Sequence, residues 1–231
     1  LAASDAVVTP TAYQGGLVAR HYGIPVTRVI HNGIDFADAE PEPRTEPVVL
    51  SVGRLWDRAK GVDVLDDAAG LLGAGAPPVH VIGETAAPHG EAVALRHAVA
   101  HGRVERAEVD AWMRRASVYV AASRYEPFGL APLEAALHGC ALVLSDTGSF
   151  RELWDGCAEF FPPGDAPALA AAIARVVGDE KLRARLAASA RRRAARRYTA
   201  ERMAAEYIDL YAELARTRAA AARRAEALAT P

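Results

Sequence analysis

Val48-Val49-Leu50-Ser51-Val52-Gly53 is a continuous apolar run stopped by a glycine. A strand covered by helices on both faces reads this way, because neither of its faces has to meet water. Working outward, the same unit recurs. Val62 to Leu72 has helical spacing, and Val79-His80-Val81-Ile82 is a second buried strand closed by Gly83. Glu105 to Arg115 reads as a helix, Ser117 to Ala121 as a strand, and Pro132 to His138 as a helix stopped by Gly139. Ala141 to Leu144 is a strand, Phe150 to Trp154 a short helix and Glu159-Phe160-Phe161 a last strand. Residues 84–101 are ambiguous, with a helix predicted from Glu91 to His97. This β-α alternation predicts an α/β fold on a doubly wound parallel sheet.

The flanks differ. Ala6-Val7-Val8 is a strand signal, Tyr13 to Tyr22 a helix closing at Gly23, and Arg28-Val29-Ile30 a short strand before the turn dipeptide Asn32-Gly33. Asp38 to Pro47 is acidic and holds three prolines, the composition of a linker. Beyond residue 167 everything reads as helix: Pro167 to Val177, Glu180 to Arg197, and a third helix capped by Thr199. Met203, Tyr207, Leu210, Tyr211 and Leu214 form one stripe on that third helix. Ala219 to Pro231 reads as a frayed helix or a disordered tail. The expected division is residues 1–47, 48–198 and 199–231. The chain opens Leu1-Ala2-Ala3-Ser4, without Met, and enters a strand at once, which reads as part of a longer protein.

Composition excludes several classes. The 231 residues are 51% hydrophobic and 24% charged, an ordinary globular balance. A formal net charge of -2 gives no overall basic field for nucleic acid. Two cysteines, Cys140 and Cys157, build neither a disulfide framework nor a four-ligand zinc site, and read as buried free thiols. No apolar run reaches the roughly 18 residues of a membrane span. The seven histidines show no metal spacing, and no Walker-A loop or GxGxxG fingerprint appears. Of the 27 basic residues only Lys60 and Lys181 are lysines. A lysine surviving such a bias marks a place where a compact ammonium is wanted rather than a planar fork.

Three constellations can carry chemistry. Ser51-Val52-Gly53-Arg54, with Lys60-Gly61 six residues on, puts a turn and two cations beyond a buried strand, where open α/β sheets bind ligands. Two cations there suit a diphosphate, Arg54 as a fork and Lys60 as a point charge; a solvated loop with scattered charges has the same spacing. Ser123-Arg124-Tyr125-Glu126-Pro127-Phe128-Gly129-Leu130-Ala131-Pro132-Leu133-Glu134 follows another strand. Pro132 in a first helical turn needs no N–H, and the backbone near Phe128, Gly129 and Leu130 offers an anion site at a helix N-terminus. Glu126 and Glu134 can point into one cleft and accept hydrogen bonds from sugar hydroxyls, or they are ordinary surface acids. Ser145-Asp146-Thr147-Gly148-Ser149 is a third strand-to-helix junction, either another anion or hydroxyl site or plain capping by Asp146 or Ser149. Arg191-Arg192-Arg193 with Arg196-Arg197 reads as a solvated basic face, with anionic lipid or nucleic acid as the alternative.

Together these segments resemble the retaining, nucleotide-sugar-dependent glycosyltransferases of the GT-B fold, family 4, and cover their C-terminal, donor-binding half. The likeness is carried by Asn32-Gly33-Ile34-Asp35, by Gly53-Arg54-Leu55 with Lys60-Gly61, and by Ser123 to Glu134 followed by Gly139 and Ser145-Asp146. Glu126 and Glu134 match the family's pair of glutamates separated by seven residues. The resemblance implies a Rossmann-like donor domain and a catalytic set of Arg54, Lys60 and Glu126. Arg54 and Lys60 would hold the donor diphosphate and Glu126 the hydroxyls of the transferred sugar near its anomeric carbon. Glu134 would hold the ribose, the backbone near Val104 would meet the nucleobase, and Gly53, Phe128, Gly129 and Leu130 complete the donor site. The loop Trp56-Asp57-Arg58-Ala59 is one residue longer than the commonest form, so Arg58 is open to sharing the role of Lys60. Neither metal nor cofactor is implied, and no Asp-x-Asp site is present.

The implied partners are a nucleotide sugar and an acceptor (glycan, lipid or small molecule) bound by an N-terminal domain of which only residues 1–47 are here. The Thr199 helix resembles the one that crosses back onto that domain. Hexosyl transfer in cell-surface polysaccharide synthesis is implied, in the cytoplasm or at the inner membrane face, with no nucleic acid partner. The alternative is a non-catalytic nucleotide-sugar-binding module that pairs with another chain.

Overall fold

The computed structural model describes residues 4–36, 44, 47–88, 90 and 92–229, with the side chains of the last helix described to Arg224. It divides into two compact units, residues 36–196 and residues 1–35 with 197–231. The expected linker over 38–47 falls mostly outside the described residues.

The larger unit is the doubly wound α/β fold. Its strands are β3 (Val49–Val52), β4 (Val79–Ile82), β5 (Val99–Ala100), β6 (Val118–Ala121), β7 (Ala141–Ser145) and β8 (Ala158–Phe161). They form one parallel sheet in the order β5-β4-β3-β6-β7-β8. The chain leaves β3 for β4 and β5 on one side, then returns to place β6 on the other. The boundary between β3 and β6 is therefore the topological switch point, where such sheets open a crevice at their carboxyl ends.

Strand alternation distributes the core to two faces. Val49, Val79, Val81, Val118, Val120 and Val143 share a cluster with Val62 and Leu65 of α2 (Val62–Leu71) and Leu169 and Ile173 of α6 (Ala166–Gly178). Leu50, Tyr119, Leu142 and Leu144 take the opposite face and are at most 1% exposed. That face is lined by α3 (Arg106–Arg115) and α4 (Leu130–Leu137); α5 (Gly148–Trp154) follows β7. Being buried on both sides explains why the strands read as continuous apolar runs.

Two elements depart from the sequence reading. Residues 92–97 are not helical. The N–H groups of Arg96, His97 and Ala98 all converge on the carboxylate of Asp66 in α2, at 2.9 to 3.1 Å. N–H groups spent on one side chain cannot make the i→i−4 ladder of a helix. The segment instead leads into the two-residue edge strand β5. Second, α4 begins at Leu130 rather than Pro132, which puts Pro132 inside the first turn, where its missing N–H costs nothing.

The arginines of α7 (Glu180–Arg197) close the helix ends. Arg183 donates to the carbonyls of Val176 and Val177, Arg191 to Leu137 and Arg193 to Leu153, the C-terminal turns of α6, α4 and α5. Arg44 spans three more carbonyls, those of Arg114, His138 and Gly139. Cations at these ends satisfy orphan carbonyls and oppose the negative end of each helix dipole.

The smaller unit pairs β1 (Val8–Thr9) with β2 (Arg28–Val29) in parallel, connected through α1 (Ala12–Tyr22). Its long helix α8 (Ala200–Ala229) has Thr199 as the N-cap, which accepts from Arg202 N–H. The helix runs through the stretch read as frayed. It is fastened to the first residues by Arg202 to the His31 carbonyl (2.6 Å), by Arg28 to Glu213 (2.6 Å) and by Arg218 to Asp5. The expected apolar stripe is only partly covered. Leu210 is buried, Met203, Tyr207 and Leu214 are half-buried, and Tyr211 is 63% exposed. No helix among the described residues is long and apolar enough to cross a membrane.

Candidate functional site

The loops that follow β3 and β6 face each other across the switch point. After β3 the chain turns at Gly53, whose N–H still pairs with the Ile82 carbonyl at 3.0 Å. The side chain of Asp57 accepts from Ala59 N–H and caps a 3₁₀ turn over Arg58–Lys60, and Arg54 reaches back to Asp57 at 2.9 Å. Gly61 then has φ +63°, and a Cβ there would lie 2.1 Å from the Ala122 carbonyl oxygen. The β3 loop is thus pressed directly onto the end of β6.

The facing loop is braced from three sides. Arg124 donates to Asp63 through both terminal nitrogens, at 2.7 and 2.6 Å, and its own N–H donates to the Ala59 carbonyl. This fork holds the Asp63 carboxyl below its usual range. Ser145 donates to the Ser123 carbonyl, and Ser149 to the carbonyl of Glu126. At its end Gly129, with φ +91°, turns the chain into α4 under the ring of Phe150.

These supports bring Lys60 and Glu126 together. Lys60 Nζ lies 2.5 Å from Glu126 Oε2, with side chains 28% and 12% exposed. The pair closes the switch point from one loop to the other. Lys60, rather than Arg58, makes the contact; Arg58 is exposed and lends its carbonyl to Arg124. Arg54 is on the same loop, 63% exposed, with Asp57 as its partner. Glu134 does not meet Glu126 through a shared cation. It is bound at 2.8 Å by Arg106 from the first turn of α3, which also contacts Asp110 at 3.1 Å. Val104 lies between β5 and α3, half-buried, on a segment held by the Gly83 N–H to Gly102 carbonyl bond of 2.8 Å.

No side chain caps the first turn of α4, so the N–H groups of Leu130 and Ala131 stand open to an anion. The Phe128 side chain is 2% exposed and belongs to the core, so its backbone is what the site can use, whereas Leu130 is 47% exposed. The third constellation is spent internally. Thr147, not Asp146 or Ser149, caps α5; Asp146 is paired with Arg151, and both serines brace the Ser123–Glu126 loop.

Several supporting residues escaped the sequence reading. Tyr119, buried in β6, donates its hydroxyl to the Val52 carbonyl at 3.1 Å, filling the gap where β6 stops pairing with β3 after Leu50. Burial raises its hydroxyl pKa and keeps it protonated. Nothing in a run of buried strand residues announces such a contact. Asp57 was readable as a cap ahead of Arg58-Ala59-Lys60. Arg106 and the Arg124–Asp63 fork join residues far apart in sequence. Among the described residues no group of His, Cys, Asp or Glu is placed to hold a metal ion.

This site lies inside residues 46–179, the span matched by the family described as glycosyl transferases group 1. A D-inositol 3-phosphate glycosyltransferase of Xylanimonas cellulosilytica is 31% identical over 95% of this chain and 60% of its own length. A glycogen synthase of Mycobacterium tuberculosis is 34% identical over 82% of this chain and 50% of its own. The sucrose-phosphate synthase structure from Thermosynechococcus elongatus superposes with a TM-score of 0.78 at 26% identity, over 93% of this chain and 59% of that one. The chain spans 50 to 60% of the length of these relatives. Since the family match takes in more than half of its residues, the chain belongs to the glycosyl transferases group 1 family.

Proposed function

We propose that this chain is the donor-binding half of a retaining, family 4 glycosyltransferase that uses a nucleotide-diphosphate sugar without a metal ion. The observation that carries the reading is the Lys60–Glu126 pair at the switch point, a cation and a carboxylate held 2.5 Å apart by two loops that Arg124 fastens to each other. Loss of the diphosphate leaving group builds negative charge. Arg54, Lys60 and the open N–H groups of α4 would meet that charge, and fixed donors of this kind favour the transition state over the ground state. A diphosphate at Lys60 takes the ammonium from Glu126, whose oxygens are then available to the hydroxyls of the transferred sugar. Glu134 is assigned the ribose and the Val104 backbone the base. Glu126 is given no nucleophilic role: retention is assigned to attack within an ion pair, with no covalent enzyme intermediate.

The relatives' names support this division. They specify an inositol phosphate, glycogen and sucrose phosphate, which are chemically unlike one another. A region similar to all three fits the part of the reaction they have in common. The acceptor is then chosen by other sequence, and residues 1–231 alone bind donor but transfer little sugar.

Calorimetric titration with UDP, GDP and ADP tests the reading, repeated on Glu134→Ala and Arg54→Ala. The expected result is saturable binding of one nucleotide, weakened at least ten-fold in each variant, as expected for lost hydrogen bonds to charged groups. A folded chain that binds none of the three refutes it.

A further inference from the structure

The exposed face of α7 carries charge that neither the core nor the candidate site uses. The helix holds eight cations (Lys181, Arg183, Arg185, Arg191, Arg192, Arg193, Arg196, Arg197) against one carboxylate, Glu180, in a chain whose formal net charge is -2. The rest of the protein is therefore net acidic, and α7 is its basic element. Position on the helix sorts seven of these cations into two groups; Arg197, the last residue of the helix, has its guanidinium 6.0 Å from the Tyr198 ring. Leu186, Ala190 and Ala194 are the buried face. Arg183 lies on it, Arg191 and Arg193 flank it, and all three are committed to the ends of α6, α4 and α5.

Lys181, Arg185, Arg192 and Arg196 are all exposed, and at about 100° per residue they fall within an arc of about 60° opposite the buried face. Among the described residues none of the four has a carboxylate partner; Arg192 contacts only Ser189, at 3.3 Å. Lys181/Arg185 and Arg192/Arg196 are like-charge pairs four residues apart, an arrangement that destabilises a helix by a few tenths of a kcal/mol per pair.

We propose that this stripe docks the protein on an anionic lipid bilayer. The four cations run in a line of roughly 22 Å along one straight helix, a geometry that lays every charge on a plane at once. Ala184, Ala188, Ser189 and Ala195 lie beside them. No aromatic ring is there for an unpaired base to stack on, which removes the platform that single-stranded nucleic acid uses. No large apolar residue is there to insert either, so the contact is with headgroups, reversible and screened by salt. The remainder of the chain is net acidic, which disfavours a polyanion long enough to wrap around it.

The test is sedimentation of the full chain with phosphatidylcholine vesicles, with and without 30% phosphatidylglycerol, in 0.1 M salt. The variants are Arg185→Gln/Arg192→Gln and the same with Lys181→Gln and Arg196→Gln added. Each cation near an anionic surface is worth about five-fold in partition. The double variant should lose roughly 25-fold and the quadruple several hundred-fold, and 0.5 M salt should release the parent. Arg103→Gln/Arg175→Gln, which removes two exposed, ion-paired cations elsewhere, should change partition less than two-fold. The stripe variants relieve like-charge repulsion and should melt no lower than the parent. Parent binding no better with phosphatidylglycerol than without refutes the proposal, as does equal loss in the Arg103/Arg175 control. Tighter binding to a 20-mer oligonucleotide than to vesicles, lost in the stripe variants, also overturns it in favour of nucleic acid. Nucleotide titration of the same variants should be unchanged, which keeps this test independent of the donor-site reading.

Discussion

Asp66→Asn is the substitution whose cost can be worked most directly. The Asp66 side chain is 5% exposed. Its Oδ1 accepts from the N–H groups of Arg96, His97 and Ala98 at 3.1, 2.9 and 2.9 Å, and Oδ2 accepts from Arg96 N–H at 2.9 Å. Asparagine keeps one oxygen for His97, Ala98 and the longer Arg96 contact, but turns an NH₂ toward Arg96 N–H in place of Oδ2, donor against donor. One charge-assisted bond is lost and the others become neutral, at about 1.5–3 kcal/mol for a bond to a charged group. The expected loss is about 3 kcal/mol, or a fall in Tm of roughly 6–12 °C for a domain of this size.

The pH dependence has a definite sign. Burial pushes the Asp66 carboxyl up, but the N–H donors of Ala98, Arg96 and His97 outweigh it and hold the pKa below its ordinary value. A carboxyl depressed in the folded state contributes stability above its unfolded pKa of about 3.9 and loses it as pH falls through the folded value. The gap between parent and variant should be full at pH 7 and shrink below about pH 4. Hydrogen exchange should show lost protection at Arg96, His97 and Ala98 first. A variant melting within a degree of the parent at pH 7, or a gap that does not narrow in acid, refutes the reasoning.

Gly61→Ala combines a left-handed backbone with a Cβ 2.1 Å from a backbone oxygen, which cannot yield as a flexible side chain would, so it should lose more than about 3 kcal/mol or fail to fold. Gly53→Ala, whose Cβ meets nothing within 4 Å, should melt with the parent in the same scan and thereby isolate any effect on nucleotide affinity. Burial pushes the Cys140 thiol up to about 12, so iodoacetamide at pH 8.5 should leave it unmodified in the native chain and alkylate it after denaturation, as read by mass spectrometry. Lys60→Arg keeps the charge but replaces a point donor by a wider fork in a half-buried place; nucleotide titration should show a loss of about ten-fold against an unchanged Tm, and parental affinity would count against the geometric role given to Lys60.

The sheet was legible because its signal is local. A strand buried on both faces must be apolar throughout, and Val49–Val52, Val118–Ala121 and Ala141–Ser145 are. The two loops of the switch point were legible for the same reason: glycines and cations follow directly on those runs. What stayed hidden depends on partners distant in sequence. The segment at 92–97 has the composition of a helix, but its last N–H groups and the one after them answer to Asp66, about 30 residues earlier. Asp66 itself sits among helix formers and looks like a surface acid until α2 is packed. Arg106 on Glu134 and Tyr119 on Val52 are likewise invisible to any pattern of spacing.

The division between lysine and arginine now has a structural content. A guanidinium presents several donors in a plane, and Arg44 spends that plane on backbone oxygens. Arg44 alone gathers three carbonyls from two helix ends through Nε and both terminal nitrogens. Those contacts tolerate no compact ammonium, which would reach one oxygen and leave the others orphaned. At the switch point the demand is reversed. Lys60 reaches from the end of a 3₁₀ turn to a single carboxylate oxygen on the facing loop, and a point charge on a flexible stem can be shared with an incoming anion without unlocking either loop. In a chain with 25 arginines and two lysines, the lysine at residue 60 is therefore part of the argument for a ligand there.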